Sequence, residues 1–228
     1  MQEETRANRY LVPRGDEPYE SLFEIKRSEF IGHIKRVSTV EEARAYIESV
    51  RKTYHDARHV CSAFVIGADR DIQRSSDDGE PAGTAGVPMM QALLARQTRE
   101  DGTTDLSDVV AVVVRYFGGI KLGAGGLVRA YTDSVVQTLD GALFDSRERL
   151  RVGQVPSSHA DAGRLENEIR AAGLNVLGTE YGAEGATISL GVFDRPEELA
   201  RAEELVVSLS SGAASVTWGD TQWVDLPV

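Results

Sequence analysis

The chain has 228 residues, 41% of them hydrophobic and 27% charged, enough apolar content for one large packed domain or two small ones. Its net charge is −11, with −5 on residues 1–146 and −6 on residues 147–228, so neither half is a basic module. That excludes a nucleic-acid binder relying on bulk phosphate neutralisation and leaves room only for a focused site.

No run approaches the roughly 20 apolar residues of a membrane helix, so no membrane association is expected. The N-terminus is polar and unlike a secretory signal. The single cysteine, Cys61, excludes an internal disulfide framework. These features point to the cytoplasm.

In chain order, residues 1–20 are polar and aperiodic, with Pro13, Gly15 and Pro18, and read as a flexible arm. SLFEI (21–25) and EFIGHIKRV (29–37) read as two strands joined by a turn near Arg27 and Ser28. Thr39 and Glu42 form a capping box. The helix that follows is expected to bury Ala43, Tyr46, Ile47, Val50 and Tyr54, which recur at helical spacing. HVCSAFVIG (59–67) is a buried strand, with IQRS (72–75) as its hairpin partner. A glycine loop, SSDDGEPAGTAG (75–86), leads into a helix with Pro88 in its first turn and Met89, Met90, Leu93 and Leu94 facing the core. VVAVVVRYF (109–117) is the strongest central strand. A second glycine loop, GGIKLGAGG (118–126), opens a helix carrying Leu127, Ala130, Tyr131, Val135, Leu139 and Leu143.

The remainder reads as strand 149–156, a helix capped by Ser158 and Asp161 and ended by Gly173, strands 174–181 and 186–193, a helix started by Asp194 and Glu197, and strand 214–224. The order βαββαβ is the ferredoxin-like plan, which makes the chain an α+β protein. The expected division is an arm at 1–20, a first domain at 21–146 and a second at 147–228.

The two glycine loops carry the candidate chemistry. In the first, Gly79, Gly83 and Gly86 allow unusual backbone or close approach, and the amides of 83–86 precede a helix. Those amides, with the Thr84 hydroxyl, can hold a phosphate or carboxylate. Asp77, Asp78 and Glu80 oppose this by like charge. In the second, Arg115 and Lys121 stand beside Gly118, Gly119, Gly123, Gly125 and Gly126, a second candidate anion nest. Of Tyr116 and Phe117, one is expected to face outward for stacking on a base. Neither loop has the phosphate-binding GK[ST] ending or the dinucleotide spacing. The glycines also read as plain turns, and Arg115 as an internal partner of Asp77, Asp78 or Glu80.

No metal site is expected, because the DDGE run offers too few oxygen ligands. The four-residue spacing of His55 and His59 sits at a helix exit and does not suit zinc. Cys61 reads as core; His59 reads as structural, with a site role open. No catalytic set and no cofactor emerge.

IKRSEFIGHI (25–34), DARHVCSAFVIG (56–67), SSDDGEPAGTAGVPMM (75–90) and VVVRYFGGIKLGAGGLVRAY (112–131), in this order and spacing, resemble the IMPACT family in its bacterial two-domain, YigZ-like form. The resemblance spans about residues 20–145. It implies an N-terminal α/β domain of the ribosomal-protein/RNase PH-like superfamily, followed by a ferredoxin-like domain akin to the last domain of elongation factor G. No RWD domain, such as eukaryotic relatives carry, precedes residue 20, so their kinase-linked role is not carried over. The family implies a translation-associated regulatory or binding protein whose partners are RNA, the ribosome, a nucleotide or another protein. The alternatives are a phosphate-handling enzyme of RNase PH-like fold and a protein-binding adaptor. By motif, Asp77, Asp78, Gly79, Glu80, Gly83, Thr84 and Gly86 fall on the first family loop, and Arg115, Gly118, Gly119, Lys121, Gly123, Gly125 and Gly126 on the second.

Overall fold

A computed structural model describes residues 7–228. The chain forms two compact units, one up to Ser146 together with Pro227 and Val228, the other Arg147–Leu226.

The first unit contains β1 (Arg9–Pro13), β2 (Tyr19–Ile25), β3 (Ser28–Arg36), α1 (Val40–Thr53), β4 (His59–Ile66), β5 (Ile72–Ser76), α2 (Gly86–Ala95), β6 (Val109–Tyr116) and α3 (Ala124–Asp140). Its sheet runs β2-β3-β6-β4-β5, and every adjacent pair is antiparallel. The apolar run of β6 follows from burial on both faces. Val109, Ala111 and Val113 join the core formed with α2 and α3, while Val110, Val112 and Val114 join the core under α1. Gly32 on β3 lets α3 lie close, because a Cβ there would stand 2.3 Å from the Thr138 hydroxyl.

Two local readings in this unit need correction, and a third holds. The arm expected at 1–20 is strand β1 over 9–13, and its first six positions lie outside the described residues. Tyr10, Leu11 and Val12 are buried, and burial of apolar side chains outweighs the polar flanks. Leu11 N–H donates to the Asp105 carbonyl, the Leu11 carbonyl accepts from Ser107 N–H, and the Tyr10 hydroxyl donates to Asp108. The first hairpin turns on Lys26 and Arg27, both at positive φ, and Ser28 pairs with Ile25. The capping box at α1 is present, with Thr39 Oγ1 accepting from Glu42 N–H and Glu42 accepting from Ser38 N–H.

The second unit holds most of β7 (Phe144–Ser157), then α4 (Ala162–Ala171), β8 (Asn175–Tyr181), β9 (Ala186–Phe193), α5 (Pro196–Leu209) and β10 (Thr217–Pro227). Its strands lie in the order β10-β7-β9-β8. Ile188, Leu190 and Val192 alternate inward along β9, joining Leu165 and Ile169 of α4 and Ala202 and Val206 of α5 in one core. Asp161 does not cap α4 with its side chain. Instead Ser158 accepts from Asp161 N–H. Asp194 likewise leaves α5 uncapped and forms a two-pronged pair with Arg151, an interaction stronger than a single neutral cap. Pro196 opens that helix instead. Among the described residues, no helix is long and apolar enough to cross a membrane.

Candidate functional site

Both glycine loops reach the same end of the first unit's sheet. β4 and β6 are in register there, with His59 opposite Arg115. A cavity of about 350 Å³ opens at this end, walled by Arg58, His59, Glu80, Arg115, Phe117 and Lys121, among others, and by the start of α3.

The first loop is closed on itself. Asp77 sends its carboxylate into the N-terminus of α2, where it accepts from the amides of Gly83 (2.8 Å), Ala85 (3.0 Å) and Gly86 (2.8 Å). The anion nest predicted at 83–86 exists, but its anion is internal. Burial works to raise the Asp77 carboxyl, and the three amides outweigh it, holding the group below the ordinary carboxylate range. Thr84 is not a donor to a guest either. It is buried, and its hydroxyl donates to the Pro81 carbonyl. Asp78 accepts from Val60 N–H (2.7 Å) and from Arg51 (2.9 Å). Its carbonyl accepts from His59 Nδ1, so the proton is on that nitrogen and Nε2 is left as the ring's available polar atom. Gly79 lies beneath the same imidazole.

Glu80 joins the two loops. Its Oε1 accepts from Arg115 Nη1 at 2.6 Å and from the Tyr131 hydroxyl at 2.9 Å, with His59 Nε2 4.0 Å away. The Glu80 and Arg115 side chains are only 3% and 8% exposed, so this ion pair is a desolvated one. Arg115 is therefore not an open clamp. Of the three carboxylates weighed as internal partners, Glu80 takes the contact. Behind it, Cys61 Sγ donates to the Asp77 carbonyl and lies 3.3 Å from the Tyr131 hydroxyl. Burial pushes the Cys61 thiol up to about 12, so the sulfur stays protonated and is no nucleophile. Burial also raises the Tyr131 phenol, which remains a donor to Glu80.

The second loop is open. Gly118 is required by close approach, because a Cβ there would stand 1.9 Å from the Arg27 carbonyl oxygen. Its amide donates to Ser28 Oγ. Gly123, at φ 74°, is the N-cap of α3. Neither α2 nor α3 has an acidic residue in its first turn, but among the described residues no side chain reaches the start of α3, whereas Asp77 caps the start of α2. Gly125 and Gly126 lie in that first turn, and Gly119 in the exposed part of the loop. Lys121 is exposed and, like Arg58, makes no ion pair or hydrogen bond among the described residues. Phe117 is the outward aromatic, 52% exposed, with the Arg115 guanidinium 5.7 Å from its ring centre. Tyr116 instead donates to Asp56.

Sequence reasoning left His59 open and passed over Arg58 and Tyr131. The register of β4 against β6 is what brings His59 to the site, and Tyr131 looked like any apolar position on the α3 stripe.

The Impact N-terminal domain matches residues 26–139, and a domain of unknown function, DUF1949, matches residues 158–213. The IMPACT family member YvyE of Bacillus subtilis is 37% identical over 204 residues, covering 90% of this chain and 89% of YvyE. The chain belongs to the IMPACT family. The IMPACT family member YigZ of Escherichia coli is 47% identical over 132 residues, 57% of this chain and 60% of YigZ. A crystal structure of a hypothetical protein is similar at 32% identity with a TM-score of 0.57, covering 92% of this chain and 96% of that one.

Proposed function

We propose that this IMPACT family member is a translation-associated binding protein of the cytoplasm that recognises an anionic group of RNA, a nucleotide or a ribosome-linked partner at the second glycine loop. The observation that carries the reading is the uncapped N-terminus of α3, which opens into a cavity walled by Lys121, Arg58 and Phe117. An uncapped helix start presents N–H groups and a partial positive charge, and Lys121 adds a full one. The negative total charge makes such a site stand out from its surroundings. The domain assignments belong to the same reading: an RNase PH-like first unit over 21–146 and a ferredoxin-like second unit over 147–228. The βαββαβ order, with β10 beside β7 and β9 between β7 and β8, supports the latter.

The phosphate-handling enzyme has less support. It needs open carboxylates for a metal, whereas Asp77 is committed to three amides and Asp78 to an amide and Arg51.

Ribosome co-sedimentation and RNA crosslinking at low salt, where electrostatic binding is strongest, test the proposal. Retention on ribosomes or RNA that weakens in Lys121→Ala is the expected result. Absence of both, with no captured ribosomal protein after nuclease treatment and no bound nucleotide, overturns it.

A further inference from the structure

We infer that the cavity at the start of α3 takes the monoester phosphate of a nucleotide, with the base stacked on Phe117. This rests on the reading above and narrows it to one ligand chemistry.

Charge comes first. Glu80 and Arg115 neutralise each other, leaving Arg58 and Lys121 without an ionic partner among the described residues, beside the positive end of a 17-residue helix. That local balance suits a compact phosphomonoester dianion. The chain's overall −11 works against a long polyanion laid across the surface.

The second observation is independent of the helix. Arg115 carries five N–H donors, yet among the described residues only Nη1 has an acceptor, and its Nε is buried without one. A guanidinium 8% exposed, lining a cavity with idle donors, is a site short of an acceptor. A phosphate oxygen is such an acceptor, through one charge-assisted hydrogen bond from the second terminal nitrogen rather than the full fork, since Nη1 is held by Glu80 and Nε is sealed from solvent.

Size and shape complete the case. About 350 Å³ lies at the small end of ligand pockets, on the scale of a mononucleotide. Phe117 is half exposed at the rim, and stacking on it is sequence-tolerant.

Isothermal titration of the full chain tests this with adenosine 5′-monophosphate, adenosine, inorganic phosphate, and a trinucleotide RNA carrying either a 5′-phosphate or a 5′-hydroxyl. Adenosine 5′-monophosphate is expected to bind at least about tenfold more tightly than adenosine. Lys121→Ala, and Ala124→Pro, which removes one amide at a position where helices accept proline, should each weaken it about tenfold with Tm unchanged. Phe117→Ala should weaken the nucleotide and leave inorganic phosphate unaffected. Binding of the 5′-phosphorylated trinucleotide alongside the mononucleotide identifies nucleic-acid ends as a source, and its failure beside mononucleotide binding identifies free nucleotide. Both outcomes support the inference. Equal binding of the two trinucleotides overturns it and leaves RNA recognition standing. So does ribosome retention without any nucleotide binding, and so does nucleotide binding unaltered in all three variants.

Discussion

The two glycine loops of the first unit solve the same backbone problem in opposite ways. Each leads into a helix whose first amides lack intrahelical acceptors. At α2 the chain supplies its own carboxylate, Asp77, to the amides of Ala85 and Gly86 at the helix start and to that of Gly83 in the loop before it. At α3 it supplies none, leaving the helix start facing a cavity with Lys121 nearby. Similar glycine-rich sequences thus produce one structural cap and one candidate ligand site. The teaching point is that a nest is available only when no upstream acidic side chain reaches it.

Four predictions break or sharpen this contrast. The largest effect is expected where the loops join. Glu80→Ala strands the buried Arg115 charge and unpairs the Tyr131 hydroxyl, and should cost about 3–5 kcal/mol in urea unfolding. A near-neutral result would mean that the loops are not locked through this pair. Next, Asp77→Ala removes the internal cap of α2 and should cost about 2 kcal/mol. Inorganic phosphate should then raise the Tm of this variant by more than it raises that of the wild-type chain, because it enters the emptied nest as well as the α3 site.

The acid limb of stability offers a third test. The folded-state carboxyl of Asp77 lies below its ordinary value, so its contribution is complete above the unfolded carboxyl range and is lost as pH falls through the folded value. Asp77→Asn should flatten that acid limb, measured as Tm against pH. A limb identical to wild type would remove Asp77 as its source. The smallest stability effect belongs to the open loop. Lys121→Ala should stay within about 0.5 kcal/mol of wild type, as expected for an exposed side chain without partners among the described residues. Its effect should appear only in ligand binding.

How much of this was legible in the sequence depended on the range of the interaction. β6 was readable because burial on both faces demands an unbroken apolar, β-branched run. The α1 cap was readable because Thr39 and Glu42 are three residues apart. β1 was not, since its partners at Asp105, Ser107 and Asp108 are distant in sequence and its flanks are polar. Asp194 resembled a cap until Arg151, 43 residues away, claimed it. The same limit governed the site. Both loops were visible as nests, but the filling of one by Asp77, and the choice of Glu80 over Asp77 and Asp78 as the partner of Arg115, depend on three-dimensional reach.

The most direct test follows the backbone amides themselves by ¹H–¹⁵N NMR while inorganic phosphate is titrated into the wild-type chain. The account predicts progressive shifts at Gly123, Ala124, Gly125 and Gly126, with Gly83, Ala85 and Gly86 stationary. Equal movement of both sets, or movement of the first alone, would contradict it.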